Sequence, residues 1–333
     1  MLGPIAWRTP PRDYGPWERV TSLLTEGLVR RGVDVTLFAT ADSITAGKLE
    51  SVARHPYNED PEMDGRVWEA LHVAHVLERS HEFDIVHNQI DWLPLAFGNL
   101  WRAPMITTIH GFSGDGILPA YEHASSSFVS ISDTDRSPRL EYLATVHHGI
   151  DFEEFDLRLD PEGYLVTLGR IHPDKGIADA IDIARRVGRR LMICGIVHDE
   201  EYFRTRVLPH VDGDRVIFRG LLGPEARSAA LGGAIALLHP IRFDEPFGLA
   251  VAEAMACGTP VVAYRRGSME QLIDDGVTGI VVDTVEDAAE GVGVVAGFDR
   301  AAVRQRARER FGADRMVDDY LRLYSQVIAD WPV

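Results

Sequence analysis

A chain of 333 residues is long for one domain and comfortable for two, and at 45% apolar it can bury cores of ordinary size. Its 34 basic and 51 acidic residues leave a net charge of −17, which disfavours both nucleic acid and an anionic membrane surface as partners. No apolar run approaches the roughly 18 residues of a membrane span. Residues 1–7, followed at once by Arg8, Pro10 and Pro11, are too short for a secretory signal. The expectation is a soluble, cytoplasmic protein without stable membrane insertion.

Helical and strand periodicities alternate along the chain, the pattern of α/β proteins with parallel sheets. Only residues 3–7 can serve as a first strand. A helix with Val20, Leu23, Leu24 and Leu28 on one face leads into a strand over 34–40. Helical spacing over 64–80 puts Val67, Ala70, Leu71 and Ala74 on one face, and strands are predicted over 84–89, 104–110, 128–132 and 145–150. The charged stretch 151–163, with Pro161 and Gly163, reads as a break. Strands follow over 164–171, 190–197, 216–221, 234–240, 260–264 and 279–283, with helical segments between most of them. The basic run 185–190 reads as the solvated end of a helix. Cys194 and Cys257, without CxxC spacing, read as buried free thiols of a reducing compartment. Helices over 304–310 and 316–327 end the chain, the last with Leu321, Tyr324 and Ile328 on one face.

The densest chemical signal is the segment 244–260, DEPFGLAVAEAMACGTP, between two apolar strands. Residues 248–257 form an Ala-rich helix stopped by Gly258 and Pro260. Glu245 precedes it at the carboxyl end of a strand, where ligands sit in open α/β sheets. The amides of Phe247, Gly248 and Leu249 at the helix start suit an anion or a hydroxyl, and Gly248 admits close approach. Glu253 falls on a face of Ala, Val and Met, where a carboxylate needs a partner such as a vicinal diol. The alternative is that Glu245 caps the helix and Glu253 is half exposed. A second constellation, LGRIHPDKG over 168–176, delivers Arg170 and Lys175 from one strand-to-helix loop. Two cations so placed suit a diphosphate; the alternative is an ordinary surface loop with an Asp174 ion pair.

The segment EPFGLAVAEAMACGTPVVA resembles the Glu-x7-Glu signature of the retaining family-4 glycosyltransferases of GT-B fold, and LGRIHPDKG resembles their diphosphate loop. The likeness extends through PPRDYGPWERV, LVRRGVDVTLFAT, DIVHNQ, ITTIHG, VHHGID, VIFRGLL and GSMEQLIDDGVTGIVV, in the family's order. The resemblance implies two Rossmann-like α/β domains facing each other across a cleft. These would be an acceptor-side domain over 1–155, a nucleotide-sugar domain over 156–312, and a helix over 313–333 crossing back to the N-terminal domain. It also implies roles. Glu245 would bind the donor sugar's hydroxyls with the amides of Phe247, Gly248 and Leu249, and Glu253 would hold the ribose. Arg170 and Lys175 would bind and stabilise the leaving diphosphate, and His110 would reach the reacting sugar from the other domain. Gly15 would bring backbone close to the donor, and residues from Gly220 to Leu222 would meet the base. Many relatives have a second glycine where Pro16 stands and a serine where Ile241 stands.

What the resemblance implies is a metal-independent transfer of a hexose from a UDP- or GDP-sugar, with retention and with no cofactor. Closure of the two domains about the linker is expected on donor binding. The strings Asp133-Thr134-Asp135 and Asp212-Gly213-Asp214 read as turns, and the pairs His147–His148 and His87/His110 lack zinc spacing. The rivals are a GT-B sugar-nucleotide epimerase, a non-catalytic sugar-nucleotide binder, and a glucan-elongating synthase. Loops 10–17, 89–92 and 111–121 would read the acceptor, which could be a small molecule, a lipid or a glycan.

Overall fold

The computed structural model describes residues 1–111 and 114–331, which form two units: Met1–Gly149 with the C-terminal segment from Ala313, and Ile150–Gly312. In the first unit, helix α1 (Pro16–Arg30) leads to β1 (Thr36–Phe38) and β2 (Lys48–Glu50). There follow α2 (Gly65–Arg79), β3 (Val86–Asn88), β4 (Met105–Ile109), α3 (Leu118–Glu122), β5 (Ser127–Ser130) and β6 (Tyr142–Thr145). Strands β1 and β2 pair in parallel, as do β3-β4-β5-β6 in that order.

Leu2 joins the two ladders. It bridges both Phe38 and Asn88; its amide donates to His87 O at 2.9 Å and its carbonyl accepts from Gln89 N at 3.0 Å. No strand forms over the expected residues 3–7; the bridge to both ladders is made by Leu2, just before them and fully buried. Pro4 has no N–H to continue the ladder, and the chain leaves the sheet. Helix α2 also differs from expectation. Its buried face is His72, Val73 and Val76, while Val67 and Leu71 are 55% and 49% exposed. Two apolar stripes compete on this helix, and the one that meets Phe38 and Val86 is buried. Strand β6 ends at Thr145, where a strand over 145–150 had been expected. Its ladder to β5 stops with Val146 N donating to Ser130 O at 2.8 Å.

The second unit comprises β7 (Tyr164–Leu168), α4 (Ile177–Arg186), β8 (Leu191–Cys194), α5 (Glu200–Tyr202), β9 (Val216–Gly220), α6 (Pro224–Gly232) and β10 (Ala234–His239). It continues with α7 (Leu249–Ala256), β11 (Val261–Tyr264), α8 (Met269–Leu272), β12 (Gly279–Val282), α9 (Val285–Val295) and α10 (Arg300–Phe311). Its six strands are all parallel in the order β12-β11-β10-β7-β8-β9. Counted from β7, this is the doubly wound order 3-2-1-4-5-6, with its reversal between β7 and β10. Ile177, Ala180, Ile181 and Ala184 of the strongly amphipathic α4 pack on this sheet with Leu165, Ile193 and Leu238. Asp299 and Thr284 cap α10 and α9 through their side chains. Cys194 and Cys257 are buried and unbonded to each other.

Helix α11 (Ala313–Asp330) belongs to the first unit. It buries Met316, Val317, Tyr320, Tyr324 and Val327. Of the expected face only Tyr324 is buried, since Ile328 is 41% exposed and Leu321 is half-buried. Tyrosine supplies the reason: its ring packs inward while its hydroxyl finds a buried polar partner. Tyr320 Oη lies 2.6 Å from Thr108 Oγ1 and Tyr324 Oη 2.6 Å from His87 Nδ1. No helix among the described residues is long and apolar enough to cross a membrane.

Candidate active site

The reversal between β7 and β10 is where an open α/β sheet leaves a crevice at its carboxyl edge. The loop after β7 carries Arg170 and Lys175; the loop after β10 carries Glu245. A one-turn 3₁₀ segment, Pro173–Lys175, ends in Gly176 at φ 64°, in the left-handed region. A Cβ on Gly176 would stand 1.8 Å from Pro240 O, so only glycine lets the two loops approach. Lys175 Nζ and Glu245 Oε2 form an ion pair, their side chains 12% and 14% exposed, and Lys175 also lies over the Phe243 ring at 4.6 Å. Arg170 is half-buried and makes no ion pair or hydrogen bond among the described residues.

Burial alone would push the Glu245 carboxyl up. His239 and Lys175 outweigh it and hold the group down at about 2. Glu245 is therefore a carboxylate at any physiological pH. Its backbone carbonyl accepts from Ser268 N at 2.9 Å, and Ser268 Oγ donates to Phe247 O at 2.8 Å, so the α8 side fastens this loop. Phe247 is buried, and Gly248, at φ 91°, is the N-cap of α7 without a side-chain capping bond. Leu249 begins the helix. The N-cap residue thus supplies no capping bond to the first amides of α7.

Glu253 is buried in α7, and Arg227 Nη1 of α6 lies 3.6 Å from its Oε1. Arg227 Nε and Nη2 are buried with no hydrogen-bond partner among the described residues. The half-exposed reading of Glu253 is thereby corrected: packing of α6 on α7 encloses it. Gly220 ends β9 at φ 66°, with its carbonyl accepting from Gly195 N at 2.8 Å, and Leu222 follows half-buried.

In the first unit, Gly15 is the buried N-cap of α1, and Pro16 occupies the first helical position, where a missing N–H costs nothing. A Cβ on Gly15 would meet Glu18 Oε2 and Pro11 Cβ, both at 2.9 Å. His110 follows β4 and is 8% exposed. Its Nε2 lies 2.6 Å from Gln89 Oε1, its Nδ1 3.3 Å from His148 Nε2, and its ring stacks on Trp17. Burial lowers it to about 3, so the ring is neutral. Both ring nitrogens are engaged inside the unit. Of the loop 111–121, Phe112 and Ser113 lie outside the described residues.

Residue order assigned no role to Arg227 or His239, and placed Gln89 only in an acceptor loop and His148 only in a histidine pair. Each meets its partner only through tertiary contact, although His239 had one signal: it ends a strand adjoining the Glu245 loop. Its side chain is 4% exposed, and its Nε2 has no hydrogen-bond partner among the described residues. Leaving such a group unmet costs about 1–3 kcal/mol. The two Asp-x-Asp strings lie in turns; Asp212 Oδ1 accepts from the amides of Asp214, Arg215 and Val216 at 2.7 to 3.0 Å.

Comparison with known proteins matches two family models to the chain: glycosyl transferases group 1 over residues 150–296, and glycosyltransferase family 4 over residues 17–153. A glycogen synthase of Mycobacterium tuberculosis is 26% identical over 95% of this chain and 90% of its own length. A D-inositol 3-phosphate glycosyltransferase of Mycobacteroides abscessus is 29% identical over 91% of this chain and 83% of its own. Among solved structures, Anabaena HepE in complex with UDP-glucose superposes with a TM-score of 0.70 at 18% identity, covering 95% of this chain and 97% of that one.

Proposed function

Since the chain belongs to the group 1 glycosyltransferases of GT-B fold, we propose that it moves a hexose from a UDP- or GDP-sugar to an acceptor hydroxyl, with retention at the anomeric carbon and without a metal. The observation that carries this reading is the Lys175–Glu245 pair at the reversal of the β7–β10 sheet, with the uncapped start of α7 beside it. One group suits an anionic leaving group and the other suits hydroxyls. The UDP-glucose held by HepE, a protein of the same fold, supports a sugar nucleotide as the ligand.

In this reading Arg170 and Lys175 bind the diphosphate and stabilise its charge as it leaves, the work a divalent cation does elsewhere. Among the described residues Arg170 has no partner to give up. Lys175 must release Glu245, which frees that carboxylate for the sugar's hydroxyls. The amides of Phe247, Gly248 and Leu249 assist Glu245, Glu253 takes the ribose, residues 220–222 flank the base, and Gly15 admits the donor close to α1. His110 serves the reacting sugar by exchanging its long contact with His148 for a ligand hydroxyl.

Transfer proceeds on one face of the sugar. The bond from the anomeric carbon to the phosphate oxygen breaks, the acceptor oxygen bonds to that carbon, and the acceptor's proton passes to the departing phosphate oxygen. Orientation and charge stabilisation then supply most of the acceleration.

The test is donor binding and turnover across UDP- and GDP-sugars, with chelator present and Glu253→Ala as control. Micromolar binding of one donor, lost in the variant and indifferent to chelator, is expected. Absence of binding to every sugar nucleotide overturns the reading, and dependence on a divalent cation overturns its metal-free form.

A further inference from the structure

His239 is the last residue of β10, on the same sheet reversal as Lys175 and Glu245. Its Nε2 is enclosed and makes no hydrogen bond among the described residues. The Glu245 Oε2 atom lies 3.8 Å away, beyond hydrogen-bonding reach, and the same oxygen carries the Lys175 ammonium. Buried polar atoms in folded proteins are nearly always satisfied, so an unmet one beside a ligand crevice marks a place for a ligand atom.

The geometry points to His239 as a donor-binding residue whose Nε2 takes the same sugar hydroxyl that Glu245 Oε2 holds; this rests on the donor reading above. Two atoms 3.8 Å apart can each reach one oxygen at about 2.8 Å. A hydroxyl satisfies both, donating its proton to the carboxylate and accepting from the imidazole N–H. A phosphate oxygen cannot, having no proton to give the carboxylate and a like charge against it. Burial keeps the ring neutral by lowering it below its usual value, with Glu245 acting in the opposite sense, so one ring nitrogen carries the proton. In the free protein Lys175 occupies Glu245. Its departure to the diphosphate uncovers Oε2 and Nε2 together.

The experiment is calorimetric titration of wild type, His239→Phe, His239→Gln and His239→Ala with UDP-glucose, GDP-mannose, UDP and GDP, and with deoxy analogues of the donor that binds. His239→Phe keeps a ring without a donor; His239→Gln restores an N–H. The expected result is about tenfold weaker binding of the sugar nucleotide by His239→Phe (about 1.4 kcal/mol), with the free diphosphate within about twofold of wild type. His239→Gln recovers part of the loss. One deoxy analogue binds wild type and His239→Phe equally, identifying the shared hydroxyl. Unchanged binding of the sugar nucleotide by His239→Phe overturns the proposal. Equal loss for sugar nucleotide and free diphosphate also overturns it, as does a misfolded His239→Phe beside a His239→Gln that binds no better than an Ala variant. A wild type that binds UDP or GDP but no sugar nucleotide sinks the donor reading itself, a different outcome from either.

Discussion

The indole of Trp17 and the imidazole of His110 lie 5.1 Å apart, centroid to centroid, and only 19° from parallel. Trp17 belongs to the first turn of α1 and His110 follows β4, so this stack joins the Gly15 loop to the sheet edge within the first unit.

The stack leaves the ring edge to Gln89 and His148, and Gln89 Oε1 can only accept. His110 Nε2 therefore carries the proton, and ¹⁵N-resolved NMR should show a single Nε2–H tautomer that stays neutral from pH 8 down to about 4. Gln89→Leu leaves that N–H buried and unmet, which should cost about 1–3 kcal/mol of stability. A His110 that titrates near 6.5 would overturn the assignment.

Lys175→Ala should lower turnover on the order of 10²–10³, the range for losing a preorganised charge stabiliser. It also removes one of the two groups that hold Glu245 down at about 2, so the Glu245 carboxyl should rise. A depressed carboxyl contributes stability that is present above its unfolded value of 4.5 and lost as pH falls through its folded value. Wild type should thus lose stability from Glu245 between about pH 4.5 and 2, and the variant should lose less across that window. A rate above half of wild type would remove Lys175 from the mechanism.

Glu18 behaves in the opposite sense. It is 3% exposed, and burial pushes its carboxyl up to about 7, against its own amide and the Trp7 amide at 3.1 Å. A raised carboxyl contributes stability that is complete below its unfolded value of 4.5 and lost as pH rises through 7. Glu18→Gln keeps an oxygen for the Trp7 amide and removes the charge. Urea unfolding at pH 5 and pH 8 should show the wild type losing more stability than the variant, by on the order of 3 kcal/mol. Equal losses would mean the carboxyl titrates normally.

Gly176→Ala should cost at least about 2 kcal/mol, because a left-handed backbone is strained by any Cβ and this Cβ meets the Pro240 carbonyl. Neither partner is a side-chain tip that can swing aside, so the loop bearing Lys175 must move. Turnover should fall at least about tenfold even at temperatures where the variant is folded. Wild-type turnover would show that the placement of Lys175 does not depend on this contact.

Residue order alone made the α/β alternation legible, along with the Ala-rich helix after Glu245 and the two loops carrying Arg170, Lys175 and Glu245. These follow from local rules: period, stop signals and the chemistry of neighbouring side chains. Tertiary structure decided which of two apolar stripes α2 buries, put a bridge at Leu2 in place of the first strand, and turned α11 on its tyrosines. It also brought Lys175 to Glu245, Arg227 to Glu253, Gln89 to His110, and His239 to within 3.8 Å of Glu245. The physical reason is that periodicity ranks the faces of one element, whereas burial and hydrogen-bond satisfaction are settled between elements distant in the chain. Lys175 and Glu245 stand 70 positions apart and meet only because β7 and β10 are neighbours in the sheet.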